Sequence, residues 1–264
     1  MLRQSEPARY SPNSSKQMLP PPELAQVSHR VPTSLPTYRD PVDNLDGRGA
    51  VEGWSRLHGE DVSGSRLAVG WIRFVHLLAR RLPGANPDVL SACGVVAAAS
   101  AVGAAVLGGR WVLVAALLVV VSGVLDGLDG AVALRTGRAR PLGAVVDAVA
   151  DRLGDVCLVA LLVLLDGPGW LGAAVGAAVF LHEYARARAQ GVGMTGAGAV
   201  TVAERPTRVV VAAVACLSAG TWPAGAPWLG WEWGTTCLVL WAVLAAVGGV
   251  QLVAAIRRVL TPGR

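Results

Sequence analysis

Four aspartates occur at helical spacing in a largely apolar part of this chain. They are Asp126, Asp129, Asp147 and Asp151, within the stretch GVLDGLDGAVALRTGRARPLGAVVDAVADRLGD at positions 123–155. Spacings of three and four residues place both members of each pair on one face of a helix. An ionised aspartate at bilayer depth is costly, so each carboxylate needs a cationic partner or a water-filled cavity.

Clustered carboxylates repel one another unless a cation lies between them. Hard divalent cations such as Mg²⁺ and Mn²⁺ prefer oxygen ligands of this kind. Two such ions, about 3.5–4 Å apart, can clamp a pyrophosphate group that undergoes displacement. The four aspartates therefore predict a site for two divalent cations, Mg²⁺ or Mn²⁺, that acts on a phosphorylated substrate.

The elements that must position these aspartates are six apolar segments. They lie at about 88–108, 111–129, 143–165, 170–187, 207–220 and 235–256. Since the second and third segments are joined by a short loop, the two acidic faces can converge. The chain is 53% hydrophobic and its mean hydropathy is +0.49, which is unusually apolar for a soluble domain of 264 residues. We predict an all-α integral membrane protein with six transmembrane helices, of which the fifth is short for the about 20 residues that a span needs.

The predicted helical domain covers residues 85–260, and two different regions precede it. Residues 64–84 include SRLAVGWIRFVHLLARRLP, in which apolar residues recur at three- and four-residue steps against arginines. This pattern predicts an amphipathic helix in the membrane interface. Residues 1–63 are polar and rich in Pro, Ser and Asp, which predicts a disordered extension. No apolar run lies near Met1, so no signal peptide is expected.

Loop charges predict the orientation. With the N-terminus in the cytoplasm, the cytoplasmic connections carry Arg135, Arg138, Arg140, Arg186, Arg188, Arg205, Arg208, Arg257 and Arg258. The opposite side has Arg110 as its one basic residue, together with Trp170, Trp222, Trp228, Trp231 and Trp233. Positive residues inside and an aromatic belt outside predict both termini and the acidic site on the cytoplasmic side of the cell membrane.

The net charge of +5 comes almost entirely from arginines. No solvated basic domain carries them, so nucleic acid is not an expected partner. Anionic lipid headgroups or a phosphorylated substrate fit better. The four cysteines are scattered singly through apolar runs, which argues against a zinc site or a disulfide framework.

The aspartate pattern resembles a family signature. Asp126-x2-Asp129-Gly130-x2-Ala133, followed by Gly143-x3-Asp147-x3-Asp151, is similar to the motif of the CDP-alcohol phosphatidyltransferases, and the resemblance covers roughly residues 67–260. It implies a six-helix membrane enzyme, commonly a homodimer. Such an enzyme displaces CMP from a CDP-linked lipid through attack of an alcohol hydroxyl. CDP-diacylglycerol and a small alcohol are thus the implied substrates.

The resemblance also implies roles for the aspartates and for the small residues of the motif. Asp126, Asp129 and Asp147 would be metal ligands, and Asp151 would be a ligand, the general base, or both in turn. Gly130, Ala133 and Gly143 would let the nucleotide approach the backbone closely. The alternative for these three small residues is packing between helices.

One position departs from the family pattern. The family usually has Arg directly after the motif alanine, whereas this chain has Leu134. The missing Arg would have bound nucleotide phosphates or held a helix end. Arg135 or Arg138 could replace it, because a long guanidinium side chain reaches from the next turn. A catalytically impaired family member is the alternative.

A second stretch, YARARAQG … ERPTR, resembles the branch of the family that transfers to inositol phosphate, although Gln190 replaces the usual Glu. The residues predicted to bind the phosphate of such an acceptor are Arg186, Arg188, Arg205 and Arg208. Their alternative role is anchoring by the positive-inside rule. Glu183 and Glu204 are expected to be counter-ions of these arginines. Arg152 and Asp155 are expected either to form an intrahelical pair or to orient Asp151 or a metal ligand.

The function that we predict is transfer of a phosphatidyl group from CDP-diacylglycerol to an alcohol, preferably inositol 1-phosphate, with release of CMP. Glycerol 3-phosphate or another alcohol is the alternative acceptor. A cation transporter is a third possibility, since carboxylates within membranes also line ion paths. Against transport, the carboxylates cluster at one membrane face and no inverted repeat is visible.

Overall fold

Seven helices make up the part of the chain that this computed structural model describes, residues 66–194 and 201–261. They are α1 (Arg66–Ala79), α2 (Pro87–Leu107), α3 (Trp111–Thr136), α4 (Pro141–Leu164), α5 (Gly169–Gly191), α6 (Arg205–Thr221) and α7 (Trp233–Leu260). Those residues contain no β-strand, only an isolated bridge between Ala226 and Trp231. The predicted all-α fold is therefore confirmed. The disordered extension predicted at 1–63 and the stretch at 195–200 lie outside the described residues.

Local sequence signals set the helix ends around the motif. Proline occupies the first turn of α2, α4 and α6, where its missing N–H costs nothing. Helix α3 continues beyond position 129, where the apolar segment ends, and stops at Gly137, which adopts a left-handed conformation with φ 64°. As a result, the whole motif from Asp126 to Ala133 is helical.

Three helices of the described chain, α2, α3 and α7, are long and apolar enough to cross a membrane. Helix α4 interrupts its apolar run with Asp147, Asp151, Arg152 and Asp155, and α6 has 17 residues. The six predicted spans therefore stay a prediction. Apolar side chains such as Leu107 and Leu117 point away from the protein core, as lipid-facing side chains would.

The core consists of small residues between α2 and α3 and larger ones around α4. Ala101 and Ala105 of α2 and Ala115 of α3 are buried in one cluster, and small residues of this kind let two helices approach closely. Leu158 and Leu161 of α4 belong to the same cluster, together with Trp241 of α7. Helix α4 contacts α2, α3, α5, α6 and α7, so it lies at the centre of the bundle.

Helix α1 packs on the half of α3 that carries the motif. Val75 and Ala79 form a separate apolar cluster with Leu128 and Val132. A Cβ at Gly127 would lie 3.2 Å from Val75, so the glycine lets α1 approach closely. Helix α1 lies within the region 64–84 where the sequence predicts an amphipathic helix, and its position in a membrane interface stays a prediction.

At the opposite end of the bundle, α4 and α7 meet backbone to backbone. The N–H of Gly234 donates to the carbonyl oxygen of Leu165 over 3.0 Å. A Cβ at Gly167 would lie 2.6 Å from the carbonyl oxygen of Leu162, and a Cβ at Gly234 would overlap that same oxygen. The tryptophan-rich connection from α6 to α7 lies at this end.

Candidate active site

Three of the four motif aspartates come together where α3 meets α4. Asp126 of α3 and Asp147 and Asp151 of α4 each present a carboxylate oxygen, and these oxygens all lie within 4.8 Å of one another. All three side chains are partly buried. The spacing of the aspartates predicted that the acidic faces of these two helices would converge, and the structure brings them together. Their role as metal ligands stays a prediction.

Asp129 takes a different position from the other three. Its Oδ2 accepts a hydrogen bond from the hydroxyl of Ser91 in α2. Its Oδ1 lies 2.6 Å from the backbone N–H of Gly130. This buried carboxylate is outside the group of three, and Ser91 is a contact that the sequence reasoning missed. The one available signal was a hydroxyl near the start of an alanine- and valine-rich run.

A cation of the protein itself lies among the three carboxylates. The Nε of Arg205, at the start of α6, is 2.8 Å from Oδ1 of Asp126 and 3.0 Å from Oδ1 of Asp151. Its Nη1 donates to the backbone oxygen of Asp151 over 2.6 Å. The carboxylates thus already surround a positive charge. A donor set of carboxylate oxygens in this arrangement fits Mg²⁺ or Mn²⁺.

Behind this cluster, Arg208 joins three elements through buried contacts. It lies 2.8 Å from Oδ2 of Asp155 in α4 and 2.7 Å from Oε1 of Glu183 in α5. Its Nε donates to the carbonyl oxygen of Ala203, just before α6. Arg152 is 3.0 Å from Asp155, which is the intrahelical pair expected from their spacing. This network holds α4, α5 and α6 in register beside the acidic cluster.

A second ion pair holds the segment that leads into α6. Arg186 contacts Glu204 through two donors, Nη2 at 2.6 Å and Nη1 at 3.1 Å. Glu204 also accepts from the N–H and the hydroxyl of Thr201, at 3.0 and 2.9 Å. Burial alone would raise the pKa of Glu204, but the hydrogen bonds and charge of Arg186, with those from Thr201, outweigh it and hold that pKa below its ordinary value.

The four arginines predicted to bind an acceptor phosphate fall into two groups. Arg188 is exposed at the end of α5. Arg186, Arg205 and Arg208 contact acidic side chains. Glu183 and Glu204 are among those partners, as expected from the sequence. Phosphate binding by the four arginines stays a prediction.

The small residues of the motif differ in their surroundings. A Cβ at Gly130 would meet nothing within 4 Å, so packing does not explain a glycine there. A Cβ at Gly143 would lie 3.3 Å from the side chain of Arg140, which is paired with Asp88 of α2. Ala133 is partly buried in the last turns of α3.

The two arginines that could replace the family's missing Arg line a cavity of about 300 Å³ between the end of α3 and the end of α1. Arg135 is partly buried and Arg138 is exposed. Nη1 of Arg138 donates to the carbonyl oxygen of Ala85 over 3.4 Å. Nucleotide binding by these two arginines stays a prediction.

The fold and the site define a helical bundle with long apolar helices and a carboxylate cluster where two of its central helices meet. The sequence profile of CDP-alcohol phosphatidyltransferases matches residues 85–256. The chain belongs to this family. It is therefore a membrane enzyme that transfers substituted phosphate groups, as the resemblance predicted.

Individual relatives agree with this assignment. A phosphatidylinositol phosphate synthase of Mycolicibacterium smegmatis is 33% identical over 191 residues, which covers 68% of this chain and 80% of the relative. A crystal structure of the Mycobacterium tuberculosis phosphatidylinositol phosphate synthase with CDP-DAG bound has a TM-score of 0.54 and 24% identity, and covers 70% of this chain and 94% of the other. The same protein in complex with manganese and citrate has a TM-score of 0.55 and 23% identity, with 69% and 88% covered. The two structures share the fold of this chain.

Proposed function

We propose that this chain transfers a phosphatidyl group from CDP-diacylglycerol to inositol 1-phosphate and releases CMP. The observation that carries the proposal is the group of three carboxylates from α3 and α4, whose oxygens lie within 4.8 Å of one another. Its position on the family motif supports a reaction at a pyrophosphate. The synthase from Mycolicibacterium smegmatis supports inositol phosphate as the acceptor.

In this reaction a hydroxyl oxygen of the acceptor attacks the phosphorus that carries the diacylglycerol. A new P–O bond forms, the bond to the bridging pyrophosphate oxygen breaks, and CMP leaves with the electron pair. Asp126, Asp147 and Asp151 would hold one or two divalent cations, Mg²⁺ or Mn²⁺, with Asp129 as the fourth predicted ligand. Bound there, the cations would supply positive charge to the pyrophosphate oxygens.

Asp151 is the residue that we assign as general base. Its Oδ1 is buried and accepts no hydrogen bond from the described residues, although Nε of Arg205 lies 3.0 Å away. A carboxylate oxygen in this state can accept the proton of the attacking hydroxyl. Asp129 is a poorer candidate for that role, because Ser91 and Gly130 already donate to its two oxygens.

Arginines around the acidic cluster support an acceptor that carries its own phosphate. Arg188 is exposed at the end of α5, whereas Arg186, Arg205 and Arg208 contact acidic side chains. The residues that we assign to nucleotide binding are Gly130, Ala133, Arg135, Arg138 and Gly143. Glycerol 3-phosphate also carries a phosphate and is the alternative acceptor. An impaired enzyme is a second alternative, favoured by Leu134.

The proposed setting is the cell membrane, crossed six times, with both termini and the acidic cluster on the cytoplasmic side. Exposed tryptophans at the far end of the bundle, such as Trp170 and Trp222, support an outer aromatic belt.

We further propose a homodimer. An apolar groove of about 610 Å³, lined mainly by α4 residues such as Val145 and Val149, offers a surface for a second copy. Chemical cross-linking in membranes tests it.

Release of CMP tests the proposed reaction. Full-length protein in lipid vesicles, with CDP-diacylglycerol and Mn²⁺, should release CMP when inositol 1-phosphate is added and should form the matching lipid product by mass spectrometry. Faster release with glycerol 3-phosphate would reassign the acceptor. No release with any alcohol would favour the impaired family member. Metal-dependent flux across the vesicle without CMP would favour a transporter.

A further inference from the structure

Arg205 occupies the space between two carboxylates that the proposed metal site needs. Its Nε approaches Asp126 at 2.8 Å and Asp151 at 3.0 Å, and the side chain is largely buried. Neither Nε of Arg205 nor Oδ1 of Asp151 makes a hydrogen bond within the described residues. The close contact is therefore held by opposite charge and not by aligned donors and acceptors.

Helix α4 has a recess that fits this guanidinium group. A Cβ at Gly154 would lie 2.7 Å from Nη2 and 3.2 Å from Nη1 of Arg205. Any larger residue at position 154 would push the guanidinium group out of its present place. Asp155 adds a further negative charge, 3.9 Å from Nη1. The protein thus provides a fitted position for Arg205 among its acids.

A divalent cation and this guanidinium group cannot occupy the same space. A metal ion bound through Oδ1 of Asp126 and Oδ1 of Asp151 would use the oxygens that now face Nε. Buried ionised acids without any cation would repel one another, so each state needs either protonation of the acids or a positive charge among them, and Arg205 supplies such a charge. Arg205 lies at the N-terminal end of α6 and reaches the acids through a long side chain, so in the exchange proposed below it would leave them by side-chain rotation.

We propose that Arg205 is an exchangeable counter-ion: it neutralises the acidic cluster when no metal is bound, and divalent cations displace it towards the substrate's phosphate. This inference rests on the proposed metal site and adds an order of events to it. Metal binding must come before Arg205 becomes available to the acceptor. The exchange would keep the phosphate site incomplete until the cluster is loaded.

Binding of Mn²⁺ to the full-length protein tests the exchange without any turnover. Electron paramagnetic resonance of free Mn²⁺ gives the dissociation constant for the wild type and for Arg205→Gln. Without its internal competitor, Arg205→Gln should bind Mn²⁺ about tenfold more tightly. Arg188→Gln is the matched control, since it removes the same charge from an exposed position, and its dissociation constant should stay within about twofold of the wild type because solvent and salt screen it.

Two further measurements separate the possible failures. If Asp147→Asn leaves Mn²⁺ binding unchanged, the metal site itself is wrong and the exchange fails with it. If Asp147→Asn weakens binding but Arg205→Gln does not tighten it, only the exchange is overturned. Wild-type protein provides a test that needs no variant: phenylglyoxal should modify Arg205 several-fold faster when Mn²⁺ is present, as measured by peptide mass spectrometry. Protection of Arg205 by Mn²⁺ would refute the exchange.

Discussion

Arg208 and Asp155 form a buried ion pair, with Nη1 2.8 Å from Oδ2 and both side chains almost fully enclosed. The same guanidinium group reaches Glu183 at 2.7 Å. One cation of α6 therefore holds α4 and α5 together. Because Arg205 lies one helical turn before Arg208, this pair also fixes the helix from which Arg205 approaches the acidic cluster.

Removal of this buried cation should destabilise the bundle. Arg208→Met leaves Asp155 and Glu183 without their main partner, which should lower the free energy of unfolding by about 3–5 kcal/mol. Thermal unfolding in detergent measures the loss. Arg152→Gln is the control, because Arg152 is more exposed and shares the same two acids, so its loss should be much smaller. Equal losses for both variants would contradict the central role of Arg208.

Alanine variants of two glycines of α3 distinguish a role in helix packing from a role in substrate binding. A Cβ at Gly130 meets nothing within 4 Å, so Gly130→Ala should keep or slightly raise the melting temperature, since alanine favours helix. If the nucleotide approaches the backbone at this position, the KM of Gly130→Ala for CDP-diacylglycerol should rise about tenfold. A Cβ at Gly123 would lie 2.8 Å from Val209, so Gly123→Ala should cost about 1–3 kcal/mol of stability with little change in KM. The reverse pattern would assign Gly130 to packing.

Asp151→Asn should abolish CMP release while the protein stays folded. The amide cannot accept the proton of the attacking hydroxyl, so a loss of at least about 100-fold in kcat is expected. Asp166→Asn is the matched control at the far end of α4. Asp166 has φ 64°, a conformation that asparagine also tolerates, so activity should not change. An active Asp151→Asn enzyme would exclude Asp151 as the base.

Leu134→Arg should restore a contact that the family pattern includes. If the family's Arg binds nucleotide phosphates, the variant should bind CDP-diacylglycerol about tenfold more tightly, as a charge-assisted hydrogen bond would. Leu134→Met, which adds no charge, should leave affinity unchanged. Unchanged affinity in Leu134→Arg would show that Arg135 or Arg138 already supplies the contact, or that the Arg has a structural role.

The ion pair of Glu204 and Arg186 predicts a pH dependence of stability. Because the pKa of Glu204 is lower in the folded protein than its ordinary value of 4.5, its contribution is present above that value and is lost as the pH falls through the folded pKa. Glu204→Gln should therefore melt at a lower temperature than the wild type at pH 7. The difference should shrink below pH 4.5. A difference that is constant with pH would mean that the charge of Glu204 contributes nothing.

Much of the architecture could be predicted from the sequence. The predicted segments at 88–108 and 143–165 match α2 and α4 closely, because Pro87 and the turn at Gly108–Gly109 start and end helices through local geometry. The segment at 111–129 begins with α3 but ends before it. Convergence of Asp126 with Asp147 and Asp151 followed from helical spacing and a short connection. Glu183 and Glu204 could be named as counter-ions of the arginines, because few other acids lie on the predicted cytoplasmic side outside the motif.

Contacts between helices that are distant in sequence could not be predicted. The hydrogen bond from Ser91 to Asp129 depends on the rotation of α2 against α3, which no spacing rule gives for an alanine-rich helix. Placement of Arg205 among the acids depends on the packing of α6 against α3 and on the space at Gly154. An arginine in a basic loop can bind a phosphate as readily as a carboxylate, so residue type alone could not tell which of the two is its partner.

The backbone contacts of Gly234 with Leu162 and Leu165 limit how the bundle can move. Since α4 and α7 are joined there through backbone atoms, they cannot separate at the tryptophan end without losing that junction. If the chain takes the proposed diacylglycerol substrate, we therefore expect any widening of the bundle at the acidic end, with the junction at Gly234 as the pivot. A bulky residue at Gly167 or Gly234 would instead push α4 and α7 apart at the tryptophan-rich end.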